Sequence, residues 1–174
     1  MLSRRIFIKN MSLLSGGLVL SNSVFAKNDS DMVTLSMPEE SEPHKRTWMA
    51  FVANDYIWSK QQIPEVKRNL ALIARTIAKY EPVSMLVSLD DYEEALSLLS
   101  GLDAHNHPIE LVEFETDDLW LRDTAPTFVK GSDGNKYGIN FNFNGWGEDQ
   151  EHSQDAKVAD FISTEAHAII EQAG

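Results

Sequence analysis

TWMAFVANDYIWSKQQIPEVKRNLALIARTIAKYEPVSMLVSL, residues 47–89, reads as strand, helix, strand. Thr47–Val52 is a short apolar run of the kind that forms a buried strand. Pro64 suits the first turn of a helix, where its missing N–H has no intrahelical acceptor to serve. Val66, Leu70, Ile73 and Ile77 follow at steps of 4, 3 and 4 residues, which predicts one buried helical face. Glu81-Pro82 stops that helix, because the residue before proline is pushed out of the α region. Val83–Leu89 is then an apolar strand covered on both faces, the pattern of a parallel sheet.

The same alternation continues downstream. Asp90 and Asp91 place acidic groups at the positive end of a second helix. Tyr92, Ala95, Leu96 and Leu99 form its buried stripe, and Gly101 is placed to end it. Ile109–Phe114 is the next strand. Thr127–Val129 and Tyr137–Phe143 read as a hairpin around Ser132-Asp133-Gly134-Asn135. In its second arm Tyr137, Ile139, Phe141 and Phe143 alternate with small or polar residues, which predicts one buried face. Val158, Phe161, Ile162 and Ile169 predict an amphipathic helix running almost to Gly174, with no strand after it. Alternation of this kind indicates an α/β protein.

Upstream, residues 27–36 are polar and read as a loose leader, and residues 1–26 as an address. Ser3-Arg4-Arg5-Ile6-Phe7-Ile8-Lys9 is a twin-arginine pattern, followed by a mostly apolar stretch from Met11 to Leu20 and the small-residue end Ser23-Val24-Phe25-Ala26. That architecture is a secretory signal, and the paired arginines favour the Tat route, hence a periplasmic or otherwise exported product. The apolar stretch falls short of the ~20 residues a spanning helix needs. The mature chain, residues 37–174 with its leader, is therefore expected to have no stable membrane association. Cleavage would remove the three positive charges of Arg4, Arg5 and Lys9, taking the net charge from −12 to −15. Such a charge argues against nucleic acid, whose phosphates require clustered Lys and Arg. It favours a small cationic partner. Cysteine is absent, which removes disulfides, thiolate metal sites and thiol nucleophiles.

Chemistry concentrates in Asp117-Asp118-Leu119-Trp120-Leu121-Arg122-Asp123-Thr124. A carboxylate beside an indole makes a seat for a planar cation: the acid accepts paired N–H donors and the ring offers its π face. Asp123 is thus a candidate guanidinium ligand and Trp120 a candidate pocket wall. On local chemistry alone, an Arg122–Asp123 ion pair with Trp120 in the core is the commoner arrangement. Asn142–Gly147 reads as a structural turn in which two glycines flank a tryptophan. Glu148, Asp149 and Glu151 lack the ligand pattern of a calcium loop. His105 and His107 have too few companions for zinc, and His44, His152 and His167 (the last on the final helix) are also read as non-ligands. No metal or cofactor is assigned, and no catalytic residue.

Three blocks resemble the agmatine deiminases, the bacterial-type peptidyl-arginine deiminase family. They are Met37-Pro38-Glu39 with Glu42–Ala50, then Asp118–Val129, then Phe143–Gly147 with Asp155 and Val158-Ala159. The resemblance covers roughly residues 37–162. It implies a pentein-like α/β propeller of ββαβ-type modules, of which this chain holds about the first two. It also implies hydrolysis of agmatine to N-carbamoylputrescine and ammonia, on a route to putrescine. In such enzymes a cysteine attacks the guanidinium carbon, a histidine transfers protons and two carboxylates grip the nitrogens. Asp123 matches the first gripping acid and Trp120 the neighbouring aromatic, while Ser41 stands where many relatives carry Trp. The chain is thus expected to be inactive alone, or to be completed by a second, C-terminal chain. The alternatives are a non-catalytic periplasmic module that binds guanidino compounds or polyamines, and a degenerate product.

Overall fold

The structure, a computed structural model, describes residues 32–100 and 106–173. The signal read over residues 1–26, Gly101 and His105 lie outside them. Among the described residues, seven strands and five helical segments follow in the order β1 (Leu35–Ser36), β2 (Thr47–Phe51), α1 (Ile63–Ile77), β3 (Val83–Val87), α2 (Tyr92–Leu99), β4 (Ile109–Glu113), α3 (Leu121–Thr124), β5 (Thr127–Gly131), β6 (Lys136–Asn140), α4 (Gly145–Glu148), α5 (Val158–Glu165) and β7 (Ile169–Gln172). A 3-10 turn, Asp155–Lys157, leads into α5.

Strands β2, β3 and β4 form a parallel three-stranded sheet in that order. Trp48, Ser84 and Glu110 are partners in register, as are Met49, Met85 and Leu111, so the two sets point to opposite faces. One face meets α1 and α2 and buries Phe51, Met85, Val83 and Val87 with Leu70, Ala71, Ala74 and Ala95. The other buries Ala50 and Leu86 against Val158 and Ile162 of α5 and Leu121 of α3. With both faces covered, β3 is buried at every residue. This is why its sequence is an uninterrupted apolar run.

The helices differ from their expected stripes in detail. In α1 the buried residues are Lys67, Leu70, Ala71 and Ala74, whereas Ile73 is 48% exposed. Small alanines let the helix approach the sheet closely, which turns the contact face away from Ile73. Lys67 is buried because its ammonium bonds Asp91 and Glu94, each at 2.7 Å, and lies 5.6 Å from the Phe51 ring. Asp91 thus serves Lys67 instead of capping α2, which has no side-chain cap. Leu96 is likewise exposed, and Leu99 and Ala95 carry the contact.

The second sheet has the order β1-β5-β6-β7. β5 and β6 are the expected hairpin, antiparallel with Thr127 opposite Ile139. Two corrections concern its edges. Leu35–Ser36 pairs antiparallel with Lys130–Gly131, so the end of the leader is a strand and not loose. The last helix stops at Glu165, His167 takes a left-handed φ of 52° in the turn that follows, and Ile169–Gln172 runs parallel to β6. The helical spacing of Ile169 was accidental, and His167 lies off the helix. β6 itself ends at Asn140. Its Gly138 and Asn140 are buried on the α5 side, and Phe141 is 64% exposed, so the expected aromatic face stops after Ile139. Neither sheet closes on itself among the described residues.

Candidate functional site

The segment between β4 and α3 carries the candidate residues. It leaves the first sheet at Phe114, turns through Asp117–Leu119 and enters α3 at Leu121, which sits in the core below. The Trp120 carbonyl accepts the N–H groups of Asp123 (3.0 Å) and Thr124 (3.2 Å), so one turn of backbone joins the two predicted residues. Trp120 is 45% exposed and is not a core residue. It lines a shallow cleft of about 240 Å³ together with Trp48, Leu70, Leu119 and Arg122. Asp123 is exposed one residue past Arg122 and is not on the wall of that cleft. Among the described residues, neither Arg122 nor Asp123 enters an ion pair. The commoner arrangement expected of this tetrad, an internal ion pair with a buried indole, is therefore not the one the chain adopts.

The turn is pinned from outside by groups that spacing alone does not single out. Asp155 Oδ1 accepts the Asp117 N–H at 2.8 Å, and its Oδ2 accepts the Asp118 N–H at 3.1 Å. In return Asp117 Oδ2 accepts the N–H groups of Gln154 (2.7 Å) and Asp155 (3.1 Å). The Asp117 carbonyl takes the Asn54 side-chain amide (2.5 Å) and the Tyr56 hydroxyl (2.8 Å), both just beyond β2. Asp118 Oδ1 accepts the Leu119 N–H at 2.7 Å. Its Oδ2 is buried without a hydrogen-bond partner among the described residues.

Three carboxylates are thus buried together, and no cation among the described residues pairs with any of them. Burial pushes Asp155 up to about 6, and the neighbouring charges of Asp117 and Asp118 add to it against the pull of their N–H donors. Burial likewise raises Asp118. The same three acids raise Tyr56, whose largest cause is its own desolvation.

Elsewhere, the glycine-flanked Trp146 sits in α4, which is a left-handed turn. Gly145, Trp146, Gly147 and Glu148 have φ of 64°, 56°, 90° and 67°. Asn144 Oδ1 accepts the Gly147 N–H, and the Trp146 ring meets Phe143 edge-on at 5.0 Å. His44 Nδ1 lies 3.2 Å from Glu81 Oε2. His152 bonds the Gln150 carbonyl at 2.9 Å.

The model of the Porphyromonas-type peptidyl-arginine deiminase family matches residues 36–173. The agmatine deiminase of Pseudomonas aeruginosa (strain LESB58) is 40% identical over 111 residues, 64% of this chain and 28% of that protein. The agmatine deiminase of Pseudomonas fluorescens (strain SBW25) is also 40% identical over 111 residues, again 28% of its length. The chain therefore spans less than a third of these curated relatives. Among solved structures, the agmatine deiminase of Enterococcus faecalis is similar with a TM-score of 0.69 and 26% identity, covering 80% of this chain and 38% of that one. The C. jejuni agmatine deiminase, at 14% identity and a TM-score of 0.66, shares the fold. The α/β fold is that of agmatine deiminase structures, and with the family model matching nearly all the described residues the chain belongs to the Porphyromonas-type peptidyl-arginine deiminase family.

Proposed function

We propose that this chain carries the guanidinium-gripping part of a deiminase whose substrate is agmatine or a close relative, with Asp123 and Trp120 as the binding residues. The supporting observation is an uncommitted carboxylate and a half-exposed indole on one turn of backbone that neighbouring segments hold in place. A guanidinium presents paired N–H donors to one carboxylate and its flat face to a ring. The net charge of −12 draws such a cation toward the surface.

Covalent deimination divides a difficult displacement by water into attack by a thiolate and later hydrolysis. This sequence contains no cysteine, so the attack is assigned outside these residues. The chain's own contribution is to bind and orient. The two sheets are read as about two modules of a five-module propeller, a ring of repeated sheets. Coverage of 38% of the Enterococcus faecalis enzyme supports that proportion. The twin-arginine leader would bring the site to guanidines met outside the cytoplasm.

Titration calorimetry of the full chain with agmatine, and with putrescine as the analogue lacking the guanidinium, tests the reading. Agmatine is expected to bind saturably and putrescine at least about tenfold more weakly, since a lost charge-assisted hydrogen bond costs ~1.5–3 kcal/mol. Equal binding of the two, or no heat with agmatine, would refute it. Ammonia release by the chain alone would refute the assignment of the attack elsewhere.

A further inference from the structure

Asp155 stands at the head of the 3-10 turn, 2% exposed, and its carboxylate hydrogen-bonds neither of the residues proposed to grip the guanidinium among the described residues. Its two oxygens take two consecutive N–H groups, those of Asp117 and Asp118. A carboxylate that captures consecutive amides fixes the orientation of both peptide planes. Those planes are the entry to Leu119, Trp120 and α3. Resting on the proposed guanidinium site, we infer that Asp155 is a positioning residue for it, setting the Trp120–Asp123 turn through the backbone of Asp117 and Asp118.

The geometry supports this over a purely structural role. A buried carboxylate without a cation is costly, and a turn that needed only to be closed could use a neutral acceptor. Ionised Asp155 provides two equivalent acceptors. A protonated acid or an amide at the same place provides one good acceptor and one donor, so one of the two N–H groups loses its partner. The groups facing Asp155 are Asp117 and Asp118 on the turn and Tyr56 beyond β2, and none of them carries positive charge at neutral pH. On its own element Lys157 bonds Gln154 instead. Protonation of Asp155 therefore leaves one of the two N–H groups without an acceptor, while the bonds of Asp117 to Gln154, Asp155, Asn54 and Tyr56 persist and the fold, which binds this proton more tightly than the unfolded chain, is not weakened. The Trp120–Asp123 turn should keep one orientation above the raised value of about 6 and shift locally below it.

The experiment is NMR of the full chain between about pH 3 and about 8, a span covering both the ordinary carboxylate range and the raised value. It follows the Asp155 side-chain carboxyl carbon, the amides of Asp117 and Asp118, and the Trp120 indole N–H identified with Trp120→Phe. Calorimetry with agmatine is run on the unmodified chain and on Asp155→Asn. The expected result is one shared midpoint near 6 for all four signals. In Asp155→Asn the indole step disappears and agmatine binds about tenfold more weakly with the circular dichroism unchanged, in keeping with the sensitivity of oriented sites to small misplacements. An indole that does not follow the Asp155 carboxyl would overturn the inference, and so would a folded Asp155→Asn that binds agmatine as tightly as the unmodified chain. Should Asp155→Asn fail to fold, Asp117→Asn and the unmodified titration decide. Should the unmodified chain not bind agmatine, the functional reading falls, and the indole titration still judges Asp155.

Discussion

The face of the first sheet that meets α1 and α2 and the turn from Asp117 to Thr124 are built by opposite means. The first is apolar and redundant: Phe51, Met85, Val83 and Ala74 are all essentially inaccessible to water, and each touches several others. Burial of this kind is non-directional, so the helix can rotate until Ile73 is exposed without harm. The second is polar and singular. Each hydrogen bond between Asp155, Asp117 and Asp118 has one donor and one acceptor, and three like charges share the space. The sheet face supplies stability. The turn consumes some of it to hold an exposed indole and acid in a fixed place.

The comparison breaks most strongly at Phe51. It is 1% exposed and its ring faces the Lys67 ammonium, so Phe51→Ala leaves a cavity and an unshielded cation stem. The expected loss is roughly 3–5 kcal/mol by chemical denaturation. That is a large share of the ~5–15 kcal/mol typical of a domain, and the turn should be lost together with the sheet. A variant that lost only the turn would mean that the two regions fold separately.

The next effect comes from pH and has the opposite sign to the usual carboxylate case. Asp155 has a folded value of about 6 against an ordinary 3.8, so the folded chain binds the proton more tightly than the unfolded one. Its contribution to stability is greatest below the ordinary value and is lost as pH rises toward 6. The full cost is roughly 3 kcal/mol. Asp118 shifts the same way. Asp133 goes the other way, because the Asn135 N–H and the Tyr137 hydroxyl favour its ionised form; its contribution disappears as pH falls. Denaturation midpoints measured across that window should fall with rising pH more steeply in the unmodified chain than in Asp155→Asn. Parallel curves would remove Asp155 as the source.

A smaller effect tests how the second sheet reaches the shared helix. A Cβ on Gly138 would collide with Ser163 Oγ, the hydroxyl of a fully buried residue on α5 that has no hydrogen-bond partner among the described residues. Gly138→Ala should cost about 1–3 kcal/mol in thermal unfolding through overpacking. Ser163→Ala removes the obstructing oxygen and should recover part of that loss in the double variant, a coupling expected only for residues in contact. Independent, additive losses would show that β6 and α5 are not packed this way.

Legibility in the sequence follows the same division. β2, β3 and α1 were readable because continuous apolar runs and a 3.6-residue period survive wherever a face is buried. β7 was not, because all four of its residues are exposed and it has no alternation to detect. Only its parallel pairing with β6 makes it a strand. Trp120 and Asp123 stood out because an indole and an acid beside each other suit a planar cation, and the surrounding block resembles a family. The clamp that holds them had no local signature. Asp117 and Asp155 are far apart in the chain and like-charged, and no spacing rule pairs a carboxylate with a distant backbone N–H. The left-handed turn at α4 was half legible: its glycines announced a bend, but nothing indicated that Trp146 and Glu148 would share the conformation.

The sharpest contrast comes from the substitution with the least effect on the fold. Asp123 is exposed on a four-residue helix, and its backbone N–H, which the substitution retains, makes the bond to the Trp120 carbonyl. Its side chain enters no hydrogen bond or ion pair among the described residues, so Asp123→Asn removes a charge and no internal contact. Surface changes of that kind stay within about 0.5 kcal/mol, a shift of only a few degrees in thermal midpoint. Agmatine binding should nonetheless weaken by about tenfold or more, because an amide cannot accept both N–H donors of a guanidinium. Phe51→Ala would remove the site by removing the fold, whereas Asp123→Asn would leave the fold and remove the grip. If Asp123→Asn instead lowers the midpoint as far as a core substitution does, the acid belongs to the architecture, and the carboxylate that meets the guanidinium must be sought among the others on this turn.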